Sequence, residues 1–169
     1  MRRRNGYTLI ELVLVLLLLV LVAAVVFTLA SVGSETYLRL AAKQDQAADL
    51  RIGLSYVDVQ VRKHDGQGAL SIRPDPFAGQ PALVIEQQDG EQTYLTWIYI
   101  HDNTLCELFI AEDTKVTPDM GSRIVPMNAL EIEAVGTDAI RVTLTRQSDD
   151  LTRIQGTRII NLRAGGIKP

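Results

Sequence analysis

An apolar run from Leu12 to Ala30, interrupted only by Thr28, limits what this chain can fold into more than any other feature. Its roughly 19 residues span about 28 Å as a helix at 1.5 Å per residue, matching a bilayer hydrocarbon core of roughly 30 Å. The run is longer than the roughly 7–15 apolar residues of a secretory signal peptide. Fifteen of its residues are Leu, Val or Phe, and at about 0.3–0.6 kcal/mol each they favour insertion by roughly 4–9 kcal/mol. A carboxylate within such a span costs about 3 kcal/mol, and less near an interface. The run therefore outweighs Glu11. Arg2, Arg3 and Arg4 hold the N-terminus on the cytoplasmic side by the positive-inside rule, which directs everything after about Val32 outward.

An ionisable group at the edge of a membrane span implies a function and a partner. Here Glu11 belongs to the segment Gly6-Tyr7-Thr8-Leu9-Ile10-Glu11-Leu12, behind the basic start Met1-Arg2-Arg3-Arg4-Asn5. Basic leader, glycine, a few neutral or apolar residues, one carboxylate and a membrane-length helix together resemble the prepilin signal of type IV pilin-like proteins, including pseudopilins. The resemblance implies that a prepilin peptidase cuts after Gly6 and methylates the new amine of Tyr7. It also implies that Glu11, fifth in the mature chain, neutralises the Tyr7 amine of a neighbouring subunit during filament assembly. Such an amine has an ordinary pKa of about 7.7–8.0 and is largely charged near neutrality. A cation and a carboxylate attract strongly in a low dielectric, where either alone is costly, so the pair acts as a register device. Further partners implied are other pilin subunits, a platform membrane protein, an assembly ATPase and, before assembly, membrane lipid. The chain departs from the family pattern twice: Tyr7 replaces the usual phenylalanine, and no proline lies near Thr28. The missing proline favours a minor pilin or pseudopilin over an abundant major pilin. The competing reading is an uncleaved single-pass membrane protein with an extracytoplasmic ligand-binding or sensory domain.

With 169 residues and about 137 outside the membrane, the chain has room for one compact domain. The net charge is −3 and becomes −6 once Arg2, Arg3 and Arg4 are removed. From Glu86 to Asp138 eleven acidic residues face only Lys115 and Arg123, while from Arg141 to Pro169 six basic residues face Asp149 and Asp150. Subunits in a stack can use such asymmetry for register, although two solvated strand faces account for it equally simply. The single cysteine, Cys106, rules out an intrachain disulfide. Its alternation with Leu108 and Ile110 points it into the core.

The helix is expected to continue past the membrane. No proline occurs from Ser34 to Lys63, and Leu40, Ala47, Leu50, Leu54, Val57 and Val61 form one apolar stripe. Gly33 marks an expected bend, and His64-Asp65-Gly66-Gln67-Gly68 supplies the stop. Val57, Val59 and Val61 also alternate as in a strand, but they join a good helical stripe. Beyond Gly68 the period changes to two. Strands are predicted at 69–73, 82–88, 92–101, 104–111, 130–134, 139–146 and 156–163, with turns at Asp89-Gly90, Asp102-Asn103, Gly136-Thr137-Asp138 and 147–150. Residues 112–128 read as a long loop, and Gly165-Gly166 with Pro169 as a frayed tail. The expected fold is α+β: a long N-terminal helix, membrane-spanning in its first half, packed on an antiparallel β-meander whose other face meets solvent. The segments are a leader at 1–6, an assembly helix at 7–32, its amphipathic continuation at 33–66 and an extracytoplasmic sheet domain at 67–169.

No nucleotide-binding glycine loop, zinc spacing or nucleophile elbow is present, so no catalytic residue, cofactor or metal site is assigned. Glu112, Asp113 and Asp119 do not match a calcium loop. His64 and His101 fall at turns or strand ends. Trp97 and Tyr99 share a strand with Leu95, which favours core packing over a stacking platform for single-stranded DNA. The acidic charge further disfavours DNA binding.

Overall fold

The computed structural model describes residues 9–66, 68–147, 153–164 and 166–168. One helix, α1 (Leu9–Lys63), is followed by nine strands: β1 (Leu70–Pro74), β2 (Pro81–Asp89), β3 (Gln92–His101), β4 (Thr104–Ala111), β5 (Ser122–Pro126), β6 (Ala129–Val135), β7 (Ala139–Gln147), β8 (Arg153–Asn161) and β9 (Ile167–Lys168). The fold is α+β, with an antiparallel-dominated sheet region. The chain divides into two compact units between Gln44 and Asp45, and α1 contributes to both. Helical backbone passes through Gly33 and through the alternating valines Val57, Val59 and Val61.

In the second unit, α1 buries Gln46, Leu50, Gly53, Val57 and Val61 at spacings of four, three, four and four, the period of one helix face. The stripe therefore starts later than expected, since Leu40 is exposed. It packs with Leu83, Ile85, Ile98 and Leu105 of one sheet and with Leu130, Ile132, Val142, Leu144 and Ile160 of another. Val57 and Val61 are fully enclosed, each contributing about 1.5–3 kcal/mol by burial.

The strands form two sheets instead of one meander. Six are ordered β5-β4-β3-β2-β1-β9 and three β6-β7-β8. Seven predicted strands are present with ends shifted by a few residues, and two were missed. The expected loop at 112–128 contains a 3-10 turn at Pro118–Met120 and the edge strand β5. The expected frayed tail contains β9, which pairs in parallel with Leu70 and Ser71. Asp102 and Asn103 both adopt positive φ, as their hairpin requires. In the preceding hairpin the two linking residues are Gly90 and Glu91, with positive φ at Gly90 alone.

The outer face of the six-stranded sheet is not left to solvent. Ala82, Val84, Leu95, Trp97, Tyr99, Cys106 and Leu108 form a second buried cluster, against which Phe77, Ile110 and Val116 pack. Phe77 meets the Tyr99 ring at 5.3 Å, and the Tyr99 hydroxyl donates to the Pro118 carbonyl at 3.0 Å. These contacts bring the 75–80 and 112–121 loops over the sheet. Asp75 holds the first loop: buried, its carboxylate accepts from the Phe77, Ala78 and Gln80 backbone N–H groups at 2.8, 2.7 and 2.7 Å.

Helix and three-stranded sheet approach closely at one point. A Cβ at Gly53 would lie 2.7 Å from Leu144 Cδ1, and one at Gly156 2.8 Å from Leu54 Cδ1; Leu144 and Gly156 are cross-strand partners.

Two outcomes follow for denaturant unfolding followed by Trp97 fluorescence in detergent. Gly53→Leu should lower stability by about 1–3 kcal/mol through overpacking, although helix propensity alone favours the leucine by nearly 1 kcal/mol. Asp75→Ala should lower it by about 2–4 kcal/mol, because three backbone donors lose a charged acceptor, and Asp75→Asn by less.

Candidate functional site

The first 23 described residues, Leu9–Ser31, are a helix of mean hydropathy 3.4 with no burial inside the structure. Its length is about 34 Å, enough to cross the hydrocarbon core. Leucines and valines along it are half or more exposed on every side, which water tolerates poorly over so large a contiguous area. Past the first turn the backbone polar groups are satisfied within the helix, as lipid requires. The hydroxyls follow suit: Thr28 Oγ1 donates to the Ala24 carbonyl at 2.8 Å and Ser31 Oγ to Phe27 at 2.9 Å.

Glu11 is the one ionisable residue in this span and lies in the first turn of α1. The N-terminal end of a helix carries a partial positive charge that favours a carboxylate there. Gly6 and Tyr7, the expected cleavage and methylation positions, lie outside the described residues, as do Arg2, Arg3 and Arg4.

The β-rich unit does not assemble reactive groups around its histidines or cysteine. Among the described residues no group of three or more His, Cys, Asp or Glu side chains is placed to hold a metal ion, Glu112, Asp113 and Asp119 included. His64 Nδ1 lies 3.0 Å from the Gln60 carbonyl at the helix end. His101 Nε2 is 3.7 Å from Asp102 and 3.9 Å from Asp119, looser than the roughly 2.6–3.2 Å of a working proton-transfer pair. Cys106 is buried, and burial pushes its thiol pKa up, away from the reactive thiolate. Burial likewise pushes Tyr99 up to about 12. Tyr56 is raised by burial and, next, by Glu107; Gln60 Nε2 donates to both the Tyr56 hydroxyl and Glu107, at 3.0 Å each. Trp97 is enclosed in the outer cluster and offers no stacking surface. The exposed aromatic feature is instead the stacked pair Tyr94–Phe109, with centroids 5.2 Å apart. Strand alternation alone did not reveal it, because it depends on the β3–β4 register that sets Phe109 opposite Thr96.

Comparison with known families divides the chain in a similar way. Residues 1–30 match the prokaryotic N-terminal methylation motif, which is the class III prepilin signal of type IV pilins. Residues 48–147 match a domain of unknown function, DUF4860, consistent with a pilin-like domain. No curated protein and no solved structure matches the chain. The motif implies processing by prepilin peptidase and assembly with other pilin subunits, and with the apolar helix it fits a membrane-anchored protein. The chain belongs to the DUF4860 family and opens with the methylation motif of a type IV pilin-like precursor.

Proposed function

We propose that the protein is a minor pilin or pseudopilin, a non-enzymatic structural subunit of a type IV pilus-like filament serving a pilus, competence or secretion machine. The observation that carries this is the uncovered apolar helix Leu9–Ser31, with Glu11 in its first turn, inside the methylation motif at residues 1–30. In this reading residues 1–6 are the leader and 7–32 the assembly helix. Residues 33–66 continue the helix, and 67–169 form the sheet domain outside the cytoplasm. Prepilin peptidase cuts between Gly6 and Tyr7 and methylates Tyr7, which keeps its positive charge. Before assembly, lipid covers the helix, and in the filament other helices replace it. A platform membrane protein and an assembly ATPase extract the subunit. Repetition without closure yields a filament instead of a ring.

Glu11 decides the register. Buried among helices, its carboxylate is costly alone and favourable beside the Tyr7 amine of the next subunit. The absence of proline from the helix sets the chain apart from the major pilins.

Mass analysis of protein extracted from host membranes should show loss of residues 1–6 and a methyl group on Tyr7. An intact leader on all molecules would leave only a tethered single-pass protein. Glu11→Ala should still be cleaved, yet enter sheared filaments at least about tenfold less, the equivalent of about 1.4 kcal/mol. Normal incorporation would remove Glu11 from the assembly step.

A further inference from the structure

Much of the charge on the β-rich unit is paired internally, and what is left over includes one acidic and one arginine-rich surface. Arg73 and Lys168 share Glu86, Arg146 meets Asp49, Arg123 meets Asp102 and Arg141 meets Glu133. Four carboxylates stand outside these pairs at one end of the six-stranded sheet. Asp89 closes β2 and Glu91 lies in the turn to β3, while the Glu112 N–H donates to the Thr93 carbonyl, placing Glu112 and Asp113 beside the start of β3. All four are exposed, and Lys115 is the sole lysine or arginine between residues 74 and 122. The strand that runs into Glu112 carries Phe109, 57% exposed and stacked on Tyr94.

A second surface has the opposite sign. Arg62, Asp65, Asn161 and Arg163 line a notch of about 90 Å³ where the end of α1 meets the end of β8. Both Asp65 oxygens are already engaged by the Arg163 and Ala164 backbone N–H groups. Asp58 takes the Nε of Arg62 at 2.9 Å, while the Arg163 guanidinium has no ion pair among the described residues. Ile159, exposed, precedes Asn161 on the same face of β8. Each surface thus has an apolar residue beside charge, carboxylates at the first and arginines in excess of Asp65 at the second.

We infer that these two surfaces are the two halves of a contact between copies of this chain, the acidic Tyr94–Phe109 end of one seated on the Arg62–Arg163 notch of the next. The contact rests on the filament reading and deepens it, naming where sheet domains meet. A carboxylate in the notch finds the donors that Arg62, Arg163 and Asn161 leave unused. Exposed ion pairs contribute only about 0–1 kcal/mol each. The charges therefore set orientation and encounter, and the aromatic pair with Ile159 supplies the apolar area. The contact is heterologous where each copy offers one surface to each neighbour, so adjacent copies join head to tail.

The test uses full-length protein in its host. Differently tagged copies carrying Thr114→Cys and Ala164→Cys, exposed neighbours of the two surfaces, are co-expressed and oxidised in membranes and sheared filaments. The 114–164 heterodimer is expected to exceed either self-pair by about tenfold. Arg62→Glu in the copy bearing the notch should cut it by a similar factor, and Glu91→Arg in the other copy should restore it. Phe109→Ser, on the surface, should weaken it without affecting processing at Tyr7. Equal self-pairing, an undiminished yield with Arg62→Glu, or no heterodimer overturns the contact. Sedimentation of the same protein with filaments shows separately whether the filament reading stands.

Discussion

The uncovered apolar surface of Leu9–Ser31 is the constraint on which the rest depends. Water rejects it, so the segment must always be covered by lipid or by other helices. Lipid tails are as apolar as leucine, so no hydrophobic gain separates those two states, and helix packing and polar groups decide between them. Glu11 is the polar group placed to do so. A leucine there would make the helix a better anchor and leave nothing to distinguish a bilayer from a bundle. In the proposed filament, one unfavourable residue in a strongly favourable segment converts a membrane anchor into an assembly element, provided a cation meets it.

The same helix must satisfy a different solvent after Gln44. Through Leu9–Ser31 the apolar residues face every direction; from Gln46 to Val61 they narrow to one stripe, and Asp45, Arg51, Asp58 and Arg62 occupy other faces. Gly53 makes room for the Leu144 side chain, and Gly156 for those of Leu54 and Leu50, so leucines of each element fill the space the other's glycine leaves. The six-stranded sheet meets the stripe through larger residues, Leu83, Ile98 and Leu105. Both sheets thus hold the stripe through apolar bulk, with the two glycines adjusting the fit on one side.

How much of this was legible follows from the range of each signal. The helical stripe and seven strands are written in local periodicity, and the Asp102-Asn103 turn in residues that tolerate positive φ. The short edges are not. β9 has two residues, and β5 lies between Gly121 and Met127 in a stretch rich in breakers; each is defined by its neighbour's hydrogen bonds more than by its own pattern. Burial of both faces of the six-stranded sheet left a trace that alternation obscured. Ala82-Leu83-Val84-Ile85 is a continuous apolar run, which signals a strand covered on both sides. The buried carboxylate of Asp75 gave no such trace, since Pro-Asp-Pro reads as an ordinary exposed turn. At the N-terminus the roles expected of Gly6, Tyr7 and Glu11 came from a resemblance to the prepilin signal, and the methylation motif matches residues 1–30 as a whole.

The charge asymmetry along the chain acquires a different meaning once folded. The acidic middle and the basic C-terminal stretch do not simply cancel. Arg146 and Arg158 of the second reach back about a hundred residues to Asp49 and Asp58 on α1, and the Arg163 backbone to Asp65. Individually such contacts stabilise little, but the two on α1, from Arg146 of β7 and Arg158 of β8, help fix its rotation against those strands. The helix supplies acids to two of the C-terminal bases, while Asp89, Glu91, Glu112 and Asp113 at the β2–β4 end form no ion pair among the described residues. In the proposed mature form, loss of Arg2, Arg3 and Arg4 deepens the acidic excess from −3 to −6.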